Sequence, residues 1–412
     1  MICGKTELCL FDNAPAQTMI ENVVFVDIHP TSIIEGTGSH IEFEINGSET
    51  EYLDLNDTFL YLRLKVVLKN NASLPAGLEV KPANYFLNAL FNDVVLTIND
   101  TVVEGGNRLY AYKSTIESIF NFSEDTKRIQ LEPAGYNEDD VVRKKWIEDS
   151  RTFELTGALR LDFFNQPKYL IPKVNVRIQL LRNKHNFALI TTTTEQPLIQ
   201  IENAVLHVRR VKVNQALAMG HQLGLLKQNA IYPVTKTQVV TYTVGQGAMS
   251  YFKDNVFSSI RLPKFVVIGF VKVRAFNGHY SDDPFNFEHF NVNYVNLLCD
   301  GQPIPYRDSY QPDFENGLYT KEYMMSIIHN TQHFNTNQNN GITMNDFANK
   351  GRALFTFNLA PDFDMFGPQA PRDGNLRLDL KFAKALPQAI NVIVYGIFDG
   401  ELQLGKDKQV IK

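Results

Sequence analysis

Cysteine and tryptophan are scarce in this 412-residue chain: three of the first, Cys3, Cys9 and Cys299, and one of the second, Trp146. Three thiols cannot build a disulfide framework, which points to folding in a reducing, intracellular setting. No stretch approaches the roughly 18 uninterrupted apolar residues of a membrane span. The opening Met1-Ile-Cys-Gly-Lys-Thr-Glu lacks the basic segment and apolar run of a secretory leader. Neither secretion by the standard route nor a transmembrane segment is therefore expected. A basic excess is missing too. The formal charge of -5 argues against a surface that wraps nucleic acid, so no direct sequence-specific nucleic-acid binding is expected. Glycosylation-type sequons at Asn46, Asn56, Asn71, Asn99 and Asn121 point the other way. Without a leader, they read as chance matches in a chain rich in Asn and Thr.

What the chain does hold is material for large cores: 44% hydrophobic residues, with 29 Phe and 17 Tyr. Its length suits two domains better than one. Strict alternation of apolar and polar residues marks half-buried strands. It occurs at Ile41, Phe43 and Ile45, again from Leu60 to Leu68, and from Val174 to Leu180. Helical spacing is confined to Pro82–Phe91, Leu109–Phe120, Gln215–Lys227 and Leu318–Ile328. Too few helices alternate with strands for βαβ units, so the class is mainly β with short helices in the connections.

The chain also echoes itself. Gly157-Ala-Leu-Arg-Leu-Asp162 is matched by Gly374-Asn-Leu-Arg-Leu-Asp379, and Asn175-Val176 by Asn391-Val392. Pro82 is matched by Pro284, the turn Asn99-Asp100 by Asp300-Gly301, and Leu109-Tyr110 by Leu318-Tyr319. The offsets run from 201 to 217 in constant order, the signature of a duplicated unit. The polar run Thr191 to Pro197 then suggests the boundary. The expected division is an N-terminal arm over 1–18, a first domain over 19–195, a second over 196–403 and a tail over 404–412.

Sites for chemistry are hard to find. Among His29, His40, His185, His207, His221, His279, His289, His329 and His333, no two have the i, i+2 spacing of a cupin-type metal site. His279 with Asp282, and His329 with His333, are the nearest approaches, and the second pair runs into an Asn-rich loop. Gly36-Thr-Gly38 lacks the third glycine of a phosphate loop and precedes a strand. No cysteine has a nucleophile's setting. Arg209, Arg210 and Lys212, and Arg143, Lys144 and Lys145, read as solvated faces more readily than as contacts to an acidic partner. No catalytic, cofactor-binding or metal-binding residue is assigned, no cofactor is expected, and the chain is not expected to be an enzyme.

Longer stretches carry a resemblance. Leu53-Asp-Leu-Asn-Asp-Thr-Phe-Leu-Tyr61-Leu, Asn84-Tyr-Phe-Leu-Asn-Ala-Leu-Phe-Asn-Asp93, Phe276-Asn-Gly278, Pro284-Phe-Asn-Phe, Gln311-Pro-Asp-Phe314 and Asn375-Leu-Arg-Leu-Asp-Leu-Lys-Phe-Ala-Lys384 are similar to the hexon-like major capsid proteins of Polinton/Maverick elements and adintoviruses. The resemblance implies two tandem eight-stranded jelly-roll β-sandwiches, a double jelly roll without the long tower loops of adenovirus hexon. It implies a structural protein forming pseudo-hexagonal homotrimers that tile the capsid of an icosahedral DNA virus or virus-like transposable element. Neighbouring trimers and a single-jelly-roll vertex (penton) protein are the implied partners. The implied location is the virion, after folding in the nucleus or cytoplasm of the host cell. The alternative reading of a two-domain sandwich is a carbohydrate-binding or amidase-like protein, which needs a cleft lined by carboxylates or aromatic rings.

Overall fold

The computed structural model describes residues 17–32, 40–304, 309–329, 340–362, 367 and 369–411. The first sandwich uses β1 (Ile20–Ile28), β2 (His40–Ile45), β3 (Glu51–Val67), β4 (Val80–Pro82), β5 (Phe91–Ile98), β6 (Thr101–Glu104), β7 (Phe153–Ala158), β8 (Val176–Arg182), β9 (Leu189–Thr191) and β10 (Leu198–Val213). The second uses β11 (Ala230–Val244), β12 (Ser250–Lys253), β13 (Phe265–Lys272), β14 (Val292–Cys299), β15 (Gln302–Ile304), β16 (Phe355–Asn358), β17 (Leu376–Phe382) and β18 (Ile390–Leu404), with β19 (Val410–Ile411) hydrogen-bonded to β18. Helices fill the connections: α1 (Phe86–Ala89), α2 (Tyr110–Asn121), α3 (Glu124–Gln130), α4 (Asp140–Ile147), α5 (His185–Ala188), α6 (Gln215–Leu225), α7 (Val273–Phe276), α8 (Thr320–Ile328) and α9 (Met344–Asn349).

Strand order gives the architecture. Sheets β1-β10-β3-β7 and β2-β8-β5-β6 make the first sandwich; β11-β18-β13-β16 and β12-β17-β14-β15 repeat the winding in the second. All of these pairs are antiparallel. This is a double jelly roll. Alternation in β3 turns Leu60, Leu62 and Leu64 inward, each fully buried, into the core that also holds Phe43, Leu96, Ile178 and Leu180.

The duplication is visible in one bonded corner. The β5–β6 turn has positive φ at both Asn99 (44°) and Asp100 (64°), as a two-residue hairpin requires, and Asp300 (49°) and Gly301 (82°) do the same between β14 and β15. Asn99 N donates to the Asn175 carbonyl at 3.0 Å, while Asn175 N donates to Asn99 Oδ1 at 2.8 Å. Asp300 and Asn375 repeat both bonds, each at 3.0 Å. Gly47 N and Asn255 N donate to the side-chain oxygens of Asn175 (2.9 Å) and Asn375 (3.3 Å) in turn. Asn175-Val-Arg-Ile-Gln-Leu and Asn375-Leu-Arg-Leu-Asp-Leu, 200 residues apart, are therefore the true counterparts.

That pairing corrects two of the expected echoes. Gly157 lies in β7, whereas the residues after Gly374 form β17, the counterpart of β8. Asn175-Val176 opens β8, whereas Asn391-Val392 lies in β18. The echo at Asn99/Asp300 joins equivalent turns, whereas Pro82 pairs in β4 and Pro284 lies in no strand, and Leu109 caps α2 while Tyr319, one residue past Leu318, caps α8. The helical stretch expected over Pro82–Phe91 shrinks to α1, because Pro82 pairs in β4, Tyr85 is left-handed (φ 55°) and Phe91 already starts β5.

Strand pairing also moves the expected boundary. Leu198–Val213 lies between β1 and β3, with Ile20 opposite Val213 and Leu198 opposite Val67, so a cut between 195 and 196 would remove the central strand of the first sheet. The chain crosses between sandwiches through α6. The expected tail over 404–412 contains β19, and the Lys408 carbonyl accepts a bond from Asn99 Nδ2 at 2.7 Å, which ties this hairpin to the first sandwich. Of the expected arm over 1–18, residues 1–16 lie outside the described residues.

Candidate functional site

The places where sequence reading looked for chemistry are structural. His329 ends α8 buried, its Nδ1 2.9 Å from the Thr356 carbonyl, and burial pulls its pKa down to about 4. His333 lies outside the described residues, as do Gly36 and Gly38. His279 sits 3.7 Å from Asp282, a carboxylate already shared with Arg274. Burial, and then the Asp300 carboxylate, raise the Cys299 thiol, the opposite of what a nucleophile needs. Among the described residues, no group of three or more His, Cys, Asp or Glu side chains is placed to hold a metal ion, and no helix is long and apolar enough to cross a membrane.

Most charges of both basic clusters are paired locally. Arg209 bonds Asp54 at 2.8 Å and also Asp57, Arg210 meets Glu51 at 3.2 Å, and Lys212 meets Glu21 at 3.3 Å. Arg143 is buried, donating to the Pro82 carbonyl at 2.6 Å and to Asp140, while Lys144 pairs with Glu79 at 2.5 Å. These charges fasten strands and loops to one another.

What the fold does build is a seam and two unlike sheet faces. Helix α2 is buried over Tyr110–Phe120, which is unusual for a helix carrying Lys113 and Glu117. One side packs on its own sandwich and the other on the second. Tyr112 stacks on Phe276 at 5.3 Å and meets Phe285 edge-on at 5.8 Å, and Phe120 meets Phe265 at 5.9 Å. Lys113 bonds Glu104 and, at 2.7 Å, Asp162, whose other oxygen accepts from Thr237 N of the second sandwich at 2.7 Å. Burial pushes the Glu104 carboxyl up to about 7; Lys113 pulls it down and Asp162 pushes it up. For Lys113 itself burial acts downward, but Asp162 and Glu104 outweigh it and hold the ammonium charged. A cavity of about 430 Å³ beside this cluster is lined by Asp93, Tyr110, Lys236 and Gln238 as well.

The faces differ in a way that sequence reading missed. In the second sandwich β13 is buried from Phe265 to Val271 and β18 from Ile390 to Phe398, on both faces of the sheet. Over Phe59–Lys65 the equivalent β3 is, among the described residues, covered on one face, and Phe25, Phe59, Tyr61, Arg63 and His207 line the more open one. Ring centroids there lie 5.9 Å apart for Phe25–Phe59, 4.8 Å for Phe59–His207 and 6.3 Å for Tyr61–His207. A signal was present: Phe265-Val-Val-Ile-Gly-Phe-Val is continuously apolar, whereas Phe59-Leu-Tyr-Leu-Arg-Leu-Lys alternates.

Solved structures share the double jelly roll along nearly the whole chain. The Sputnik virophage structure superposes with a TM-score of 0.63 at 12% identity, covering 100% of this chain and 92% of that one. The PBCV-1 virus capsid gives 0.61 at 11%, covering 98% and 99%, and the mavirus major capsid protein 0.55 at 9%, covering 99% and 93%. In sequence, an uncharacterised protein of Caenorhabditis elegans is 25% identical over 406 residues, 93% of this chain and 95% of that protein. No family model matches.

Proposed function

We propose that the chain is a major capsid protein that acts by self-association, three copies forming a pseudo-hexagonal capsomer. The observation that carries this is the whole-length match to viral capsid folds by two sandwiches of identical winding. Three chains then supply six similar wedges, so one gene product fills a sixfold position with threefold symmetry. On this reading the chain divides into a first jelly roll closing at Val213 and a second running from Ala230 to Leu404. It works in the virion, beside neighbouring trimers and a single-jelly-roll vertex protein. The motif resemblance favours the Polinton/Maverick and adintovirus lineage of virus-like elements. The glycan-binding or amidase-like alternative lacks support at the seam, where Glu104 and Asp162 are both bonded to Lys113.

The test is light scattering and electron microscopy of the purified chain. The expected result is a stable species of about three times 46.9 kDa with a hexagonal outline. Monomer alone at micromolar concentration under non-denaturing conditions overturns the reading.

A further inference from the structure

We infer that the exposed face of the β1-β10-β3-β7 sheet is the seat for helix α8 of a second copy of the chain. The inference rests on the self-association reading and names the two surfaces that meet. Its template lies within one chain. The equivalent sheet of the second sandwich is covered on its outer face. Helix α8 packs on its edge strand β16, where Thr356 Oγ1 donates to the Met325 carbonyl at 3.4 Å, and α2, the helix that follows the β5–β6 hairpin, lies against its other strands: Phe120 on Phe265 at 5.9 Å, and Lys113 and Glu117 close enough to act on Tyr395.

Helix α8 follows the β14–β15 hairpin and is therefore the counterpart of α2. Along α8, Lys321, Met324 and Ile328 fall on one face of the helix. In α2 every face is buried from Tyr110 to Phe120, with Tyr112 stacked on the second sandwich. In α8 the face with Met324 and Ile328 meets solvent: each is 37% exposed, and Leu318 just before the helix is 67% exposed. The other side of α8, with Glu322, Ser326 and His329, is buried in its own sandwich. Among the described residues, one chain thus carries a helix face without a sheet beneath it and a sheet face without a helix above it.

The two faces match in chemistry. Phe25 is 54% exposed and leads an aromatic row through Phe59, His207 and Tyr61, suited to Met324 and Ile328. Carboxylates stand on both edge strands, Asp27 on β1 and Glu154 on β7, within the setting that Lys321 requires. Repeating the internal contact from chain to chain is a head-to-tail step, which leaves no free face only when it closes into a ring.

The experiment uses the full chain with Cys3, Cys9 and Cys299 replaced by serine. Phe25→Cys and Met324→Cys are made separately, mixed, and treated with a short bismaleimide. The expected product is a two-chain adduct that contains one of each variant, while Phe252→Cys, exposed elsewhere on the second sandwich, gives none with Met324→Cys. Phe25→Glu and Met324→Glu, both at exposed positions, should melt like the parent and raise the dissociation concentration of the oligomer at least tenfold. If the parent assembles, no mixed adduct forms and both Glu variants assemble normally, the inference falls and the capsomer reading survives. A parent that stays monomeric overturns both.

Discussion

Replacing Lys113 with methionine keeps the length of the side chain and removes the charge that holds Glu104 and Asp162 together. The ammonium group lies 2.7 Å from Asp162 and donates to the Arg160 carbonyl at 3.2 Å, in a side chain 7% exposed. Removing one partner of such a buried cluster costs roughly 3–5 kcal/mol, because the remaining charges lose their counter-charge. Protonation recovers part of this. Burial has already pushed Glu104 up to about 7, and it rises further once Lys113 stops pulling it down. The folded chain therefore holds a proton that the unfolded chain releases near 4.5. Stability from this group is full below that value and falls as pH rises toward 7, and in the variant the fall continues to higher pH. If the 412 residues unfold as one unit, at roughly 2.1 cal/mol/K per residue, a loss of about 4 kcal/mol lowers Tm by about 5 °C at pH 8. At pH 5, with the Glu104 carboxyl neutralised, the deficit should shrink. Scanning calorimetry of parent and variant at the two pH values measures both. A variant melting within about 1 °C of the parent at pH 8, or showing the same deficit at both, refutes the reasoning.

Three further predictions concern other parts of the molecule. Gly396→Ala places a methyl group 2.5 Å from the buried Phe257 ring and should cost about 1–3 kcal/mol by overpacking, read as a lower denaturant midpoint. Asn99→Ala removes the bonds to Asn175 N and the Lys408 carbonyl, for about 1–2 kcal/mol, and should speed amide exchange over residues 405–411; unchanged exchange would mean that the hairpin is held by something else. His329 is kept neutral by burial, so the fold loses stability as pH falls from 6.5 toward its folded value of about 4. His329→Gln should flatten that part of the stability profile, and an unchanged slope in urea titrations would contradict it.

Local pattern made the strands readable, and long-range pairing hid the frame around them. Alternation over Leu60–Leu68 marks a one-face strand correctly, because a side chain's direction in a strand depends only on its neighbours. The boundary failed for the opposite reason: nothing near Leu198 announces that its strand will pair with residues beginning at Ile20. Asn175 and Asn375 share an environment, two backbone bonds and a capped turn, yet agree in few of the letters that follow. Gly157 and Gly374 agree in more letters and share no place in the fold. The seam was beyond local reading altogether, since Glu104, Lys113 and Asp162 become one cluster only after two sandwiches pack. In the same way, the bare sheet face is recognised as bare only by comparison with its covered counterpart.

Each sandwich is completed by its last strand. Ile20 waits for Val213, and Ala230 for Leu404. On a ribosome adding about 5–20 residues per second, β1 spends roughly 10–40 s without its partner. During that time the middle position of its sheet is vacant and the inner faces of β1 and β3 have no common surface. A chain cut short before residue 198 therefore has no continuous β1-β10-β3-β7 face to offer to anything. The order of winding works as a completeness check: the surface that would receive another molecule exists only after the strand that certifies a finished sandwich has been made.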